Sequence, residues 1–306
     1  MAFTALDVKK LREMTNVGMM DCKAALTACD GDMEKAVDWL REKGLAKAAK
    51  KADRVAAEGM AYATVVNGVG VVIEVNAETD FASKTEAFVD LVKNLCVIVA
   101  EQNPADVEAL KACTYPGTNL TVTEKMQELV MSIGENMQIR RFDRFAENTS
   151  VAYVHMGGTH GVLVNLAVEG DIDVTEMGKN VAMQIAAMNA KYWDKAMVPQ
   201  AEVDKEMSVQ MALMENDPKM ASKPAQVKEK IAAGKINAFF KEICLLQQDF
   251  VRSDLFKGDV AGYIQAASKG AVKFVNAIHS TKGEGIEKKV DDFAAEVAAQ
   301  VAGAAK

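Results

Sequence analysis

Two β-rich runs, Tyr62 to Val66 and Val69 to Val75, flank Asn67-Gly68, and the pattern returns 91 residues further on. There Tyr153 corresponds to Tyr62, and Gly161-Val162-Leu163-Val164 to Gly70-Val71-Val72-Ile73. Asn-Gly between such runs is the strongest short-range hairpin signal, because the turn that suits strand twist needs positive φ at both residues. A helix follows each hairpin. Ser83-Lys-Thr-Glu86 reads as a capping box, after which Phe88, Leu91, Val92, Leu95 and Val99 recur at helical spacing until Pro104. In the second copy Met177, Val181, Ile185 and Met188 play that part. A repeated hairpin-plus-helix unit predicts an α+β chain with two related subdomains, each an antiparallel sheet covered by helices.

Ahead of this repeat the period is helical. Thr4 and Asp7 open a first helix with Val8, Leu11 and Met14 on one face, broken at Asn16-Val17-Gly18. Met19 to Cys29 forms a second, closed by Asp30-Gly31. A third starts at Asp32, carries Met33, Ala36, Val37 and Leu40 on one face, and stops at Gly44. The basic, Ala-rich segment Lys47 to Arg54 lacks an apolar stripe and reads as a partly helical linker. Residues 1–54 are therefore expected to form a three-helix module with a basic linker, 55–146 the first core subdomain and 147–306 the second.

The second subdomain is interrupted at 199–246. Val203, Met207, Met211 and Met214 lie in one Met-, Lys- and Glu-rich run and Val227, Ile231, Ala238 and Phe239 in another, joined through Asp217-Pro218 and Pro224. Two such runs predict an antiparallel helical hairpin with arms of about 20 to 30 Å at 1.5 Å per residue. A strand from Ala271 to Ile278, a Gly283-Glu-Gly285 turn and a terminal helix from Asp292 to Val301 then complete the subdomain.

Composition narrows the function. With 50% hydrophobic and 26% charged residues the chain can bury cores in two or three modules, and its formal net charge of −7 opposes binding nucleic acid by general phosphate neutralisation. The N-terminus lacks a signal peptide and no apolar run reaches the roughly 18 residues of a membrane span, so the chain is expected in the cytoplasm. Five scattered cysteines without a Cys-x-x-Cys fit reduced, mostly buried thiols. The three histidines have no helical or short-loop metal spacing. There is no nucleophile elbow and no phosphate-binding Gly-Lys-Ser/Thr, and Gly68-Val-Gly70 lies inside a hairpin. The expected reading is no catalytic site, no bound metal and no cofactor, leaving a protein partner as the default.

Candidate contact residues are few. Asn76-Ala-Glu-Thr79-Asp80-Phe81-Ala82-Ser83-Lys84 sets a charge beside a large aromatic in an apparent loop. With Ser83 as N-cap, the hydrophobic staple would pair Ala82 with Ala87, which leaves Phe81 outside it. Phe81 either tucks onto the sheet or stands displayed, and Asp80 is a turn residue or a second N-cap; composition does not choose. Met19 and Met20, adjacent on a helix and about 100° apart, cannot both face one small core. His155, ahead of Gly157-Gly158, is an exposed hairpin-end residue or a contact at a rigid tip.

The opening Leu11-Arg12-Glu-Met-Thr15-Asn-Val-Gly18-Met19-Met20-Asp21-Cys22-Lys23-Ala24-Ala25-Leu26 and the later Asn76-Ala-Glu-Thr79-Asp80-Phe81 resemble the bacterial translation elongation factor Ts family. So do Ile133-Gly-Glu-Asn136-Met-Gln-Ile139-Arg140-Arg141, Phe239-Phe-Lys-Glu-Ile-Cys-Leu-Leu246 and Gly283-Glu-Gly-Ile-Glu287, in the family's order. The resemblance implies a guanine-nucleotide exchange factor for elongation factor Tu, with an N-terminal module of the ubiquitin-associated type, two related α+β subdomains and an inserted coiled-coil hairpin. It implies that Arg12, Met19 and Met20 meet the partner's GTPase domain. Asp80 and Phe81 would wedge between two of that domain's helices, the Thr79, Asp80, Phe81 and Ala82 segment dislocating Mg²⁺. Ile133 and His155 would touch the GTPase domain nearby, and Phe250-Val251 another domain, although Arg252 stands where an apolar residue is expected. Direct nucleic-acid binding is not implied, and a homodimer or a two-to-two complex stays open. The rival from another class is a scaffold that docks a different partner without exchanging nucleotide.

Overall fold

A computed structural model describes residues 3–15 and 17–287, the side chains of 45–50 excepted. The expected breaker Asn16 and the expected helix from Asp292 to Val301 lie outside the described residues. The chain divides into two compact units. One gathers the described residues within 1–60, 74–141 and 281–306, the other 61–73 and 142–280.

In the first unit, α1 (Ala5–Thr15), α2 (Met19–Ala28) and α3 (Met33–Lys51) share a core of Val8, Leu11, Cys22, Leu26, Ala36 and Leu40. Thr4 and Asp7 cap α1 reciprocally: the Thr4 amide donates to Asp7 Oδ2 over 2.7 Å, and the Asp7 amide donates to Thr4 Oγ1 over 3.4 Å. The Thr4 amide and hydroxyl, both donating to it, hold the Asp7 carboxyl below its usual range. Met14, expected on the apolar face, is exposed. The expected stop at Gly44 is also overturned, because α3 runs through it to Lys51. A Cβ at Gly44 would sit 2.6 Å from Met131 Sδ, and Met131 belongs to the same core as Leu40. This glycine is a site of close helix approach, not a terminator.

Strands β1 (Glu58–Val66) and β2 (Val69–Ala77) turn through Asn67 and Gly68, both at positive φ (50° and 84°), as the hairpin signal requires. The next helical segment is α4 (Asp80–Ser83), a single turn, followed by α5 (Glu86–Gln102), whose Phe88, Leu91, Val92, Leu95 and Val99 are all buried. Ser83 is not the N-cap of α5. Thr85 is, accepting from the Phe88 amide over 3.3 Å, while Ser83 Oγ donates back to the Asp80 carbonyl. After α6 (Val107–Ala112) comes α7 (Val122–Ile133), opened by a Thr121/Glu124 capping box and packed on α3 and α5. Strand β3 (Met137–Phe145) then closes a sheet of order β1-β2-β3.

Beneath that sheet end lies a fully buried carboxylate, Glu74. It takes Arg140 (3.0 Å), Arg141 (2.7 Å), the Gly283 amide (2.7 Å) and the Asn76 amide group (3.2 Å). Burial pushes its pKa up, and these donors more than reverse that, so Glu74 ionises below its usual range. Gly283 fits its place only without a side chain: φ is +67°, and a Cβ would lie 2.2 Å from the Ala57 carbonyl oxygen. Gly283→Ala is expected to cost about 2 kcal/mol or more of stability through strain and collision. A thermal melt of the purified variant checks this.

In the second unit β4 (Thr149–His155) pairs antiparallel with β5 (His160–Val168), Tyr153 facing Val162. Helix α8 (Thr175–Met188) packs on both strands with Met177, Val181 and Ile185 buried and Met188 exposed. The inserted pair follows as α9 (Gln200–Asn216), one-turn α10 (Pro218–Ala221) and α11 (Ala225–Ile243). Helices α9 and α11 pack together, and on α11 Ala232 and Ile236 are buried. Helix α12 (Val260–Ser268) and strand β6 (Val272–Thr281) complete a sheet of order β4-β5-β6, the order of the first sheet.

Candidate interaction surface

The segment read as a loop is a capped helical turn. Thr79 is extended and its hydroxyl accepts from the Ala82 amide over 3.2 Å, which fixes the first turn of α4. Ala82 and Ser83 are buried, yet Phe81 between them and Asp80 is 79% exposed. A phenylalanine left in water forgoes about 1.5 to 3 kcal/mol of burial. Asp80 is neither cap nor free turn residue. It occupies the first helical position and takes the Lys84 ammonium over 2.6 Å, which holds its carboxyl below the usual range. Both Thr79 donors go to Glu135, amide to Oε2 at 2.9 Å and hydroxyl to Oε1 at 2.7 Å. These bonds bring Thr79–Ala82 to the end of α7, where Ile133 is half-buried.

On the three N-terminal helices Arg12 is exposed on α1, and both methionines opening α2 are displayed, Met20 at 75% and Met19 at 44%. In the second unit His155 ends β4, half-buried, with Nδ1 bonded to Tyr153 Oη at 2.8 Å. Phe250 is buried, stacked on Tyr263 with centroids 3.9 Å apart, so of the pair Phe250-Val251 only Val251 is exposed. The Val251 amide is anchored to Gln184 Oε1, and Arg252, where an apolar residue was expected, pairs with Asp254 at 2.8 Å.

Two features were missed by reading the sequence. His160 Nδ1 and His279 Nε2 lie 3.0 Å apart, and the His155 ring is 6.1 Å from that of His160, so strand pairing gathers histidines that sequence spacing keeps separate. Among the described residues, no group of three or more His, Cys, Asp and Glu could hold a metal ion. The second is Met156, 72% exposed at φ 47°, at the tip after His155. The adjacent Gly157-Gly158 was the available signal, since it marks a tight turn that must display its neighbours.

All five cysteines are free, and burial pushes the Cys96 thiol up to about 12, which makes it unreactive. No helix among the described residues is long and apolar enough to cross a membrane.

Residues 78–284 match the family model described as elongation factor TS. The elongation factor Ts of Syntrophotalea carbinolica is 43% identical over 303 residues, covering 97% of this chain and 99% of that relative. That of Magnetococcus marinus is 41% identical over 309 residues, covering 99% and 100%. With a family model matched from the displayed Phe81 turn to residue 284 and relatives more than 40% identical over nearly the whole chain, the chain belongs to the elongation factor Ts family of translation elongation factors.

Proposed function

We propose that the chain is the guanine-nucleotide exchange factor for elongation factor Tu, acting by insertion of side chains and doing no covalent chemistry of its own. The observation that carries this reading is the exposed Phe81 on a capped turn whose next two residues, Ala82 and Ser83, are buried. Such a side chain is rigidly presented, so little conformational entropy is lost when a partner covers it. Asp80 and Phe81 enter between helices of the GTPase domain, and the Thr79–Ala82 segment shifts the elements that hold Mg²⁺. The ion demands near-octahedral oxygen geometry, so a small displacement of its ligands weakens it and the nucleotide phosphates it bridges. By linkage, nucleotide weakens the exchange factor by the same factor.

Arg12, Met19 and Met20 supply a second contact on the GTPase domain, Ile133 and His155 further contacts on it, and Val251 one on a different domain. Exposed methionines suit this role because the flexible thioether adapts to a helix surface. Met20→Asp is expected to weaken complex formation with elongation factor Tu by about tenfold, on the scale of a buried anchor lost from an interface. Its melting should stay within about 0.5 kcal/mol of wild type, as for an exposed position. Titration calorimetry together with a melt reads both.

The reading is tested by gel filtration of the chain with nucleotide-free elongation factor Tu, with and without excess GDP. A complex that dissolves on adding GDP supports it. A complex indifferent to GDP, or none at all, favours the scaffold reading and overturns exchange.

A further inference from the structure

We infer that Glu135 and Glu78 form a reciprocal clamp whose task is to hold the Phe81 turn in its inserting position, which makes Glu135 a positioning residue for exchange; this rests on the function proposed above. Each carboxylate takes a backbone amide from the other's segment. Glu135 accepts from the Thr79 amide at 2.9 Å, and Glu78 Oε1 accepts from the Asn136 amide at 2.6 Å. The link spans more than fifty residues of chain, so it is not a local turn motif.

Glu135 also acts on the cap itself. Its Oε1 accepts the Thr79 hydroxyl proton at 2.7 Å, which turns the Thr79 oxygen's lone pairs towards the Ala82 amide it caps. Phe81 lies inside the turn so fixed. A four-residue helix has little stability of its own, because nucleating one turn fixes three residues for a single hydrogen bond. Charge-assisted bonds from outside must therefore supply its rigidity.

The clamp reaches the N-terminal helices. The Asn136 side-chain amide donates to the Arg54 carbonyl at 2.8 Å and the Ala52 carbonyl at 3.3 Å, Arg54 approaches Glu78 at 3.4 Å, and the Lys51 ammonium donates to the Gly134 carbonyl. The segment leaving α3, the turn after α7 and the approach to Phe81 are thus one hydrogen-bonded knot. Its partners are main-chain atoms at nearly every point, so it sets backbone position.

The prediction separates positioning from docking. Glu135→Ala should lower the GDP release rate at saturating chain about tenfold, the scale of lost bonds to a charged acceptor, with the half-saturating concentration changed less than twofold. Glu135→Gln, which keeps an acceptor for the Thr79 amide, should recover most of that rate. In the chain alone, hydrogen exchange should show amides 79–85 opening at least tenfold faster in Glu135→Ala, while β4 and β5 exchange as in wild type. Unchanged protection of 79–85 would overturn the clamp. So would a saturating rate within twofold of wild type, or a change confined to half-saturation. If wild-type chain itself fails to speed GDP release, the functional reading falls, and the hydrogen-exchange arm still decides the clamp.

Discussion

Replacing Phe81 by alanine is expected to slow the release of GDP from elongation factor Tu by one to two orders of magnitude at limiting chain concentration, without loss of fold. The scale follows from about 1.5 to 3 kcal/mol for burying one phenylalanine in the partner, at 1.36 kcal/mol per tenfold in rate. Because Phe81 is almost wholly in water, its removal leaves no cavity and breaks no packing. Its melting temperature should therefore match wild type. Phe81→Leu should be intermediate, keeping most of the apolar area without the ring. One side chain of this worth cannot supply a large acceleration alone, so the proposed exchange also calls for binding energy from elsewhere, for which the exposed Met19 and Met20 are the proposed source.

The largest expected loss of stability comes from Glu74→Ala. Removing one member of a buried ion cluster costs about 3 to 5 kcal/mol. The low end is expected here, since Arg140 and Arg141 reach water and can rehydrate, whereas the Gly283 and Asn76 amides lose an acceptor in the interior. A drop in melting temperature on the order of 10 °C follows. The pH dependence has a definite sign. The folded-state pKa of Glu74 is depressed below its usual 4.5, so its stabilisation is complete above about pH 4.5 and is lost as pH falls through the folded value. Wild type and Glu74→Ala should consequently differ most at neutral pH and converge in acid. Melts from pH 7 down to pH 3 would check it, and a gap that widened towards acid would contradict the assignment.

Much of this fold is legible in the chain because the signals are local. Asn67-Gly68 names its turn, the spacing of Phe88 to Val99 names the buried face of α5, and the repeat of that unit from Tyr153 announces a second sheet of the same order. What escaped reading depends on distant partners. β3 carries Arg140, Arg141 and Arg144 and resembles no ordinary strand, because Glu74 on β2 supplies its countercharge. Ser83 was expected to cap α5, but Thr79 starts α4 first and Ser83 turns back onto Asp80, which leaves Thr85 as the cap. The length of α3 depends on α7 lying against Gly44.

The candidate surface divides the same way. The residues Asp80-Phe81 are conspicuous in the chain, but their exposure is not. Composition left the tucked and the displayed phenylalanine both open, and only the buried Ala82 and Ser83 that follow it show that the turn itself is seated while the ring is not. Both methionines of the adjacent pair are displayed, one more than helical geometry alone demanded. Met156 was hidden by its ordinary identity and revealed by a left-handed backbone at a glycine-rich tip.

The most direct measurement is stopped-flow release of a fluorescent GDP from elongation factor Tu against increasing concentrations of this chain. The release rate should rise with chain concentration and saturate, and fall again as Mg²⁺ is raised, because ion and wedge oppose one another by linkage. A release rate independent of chain concentration would contradict it.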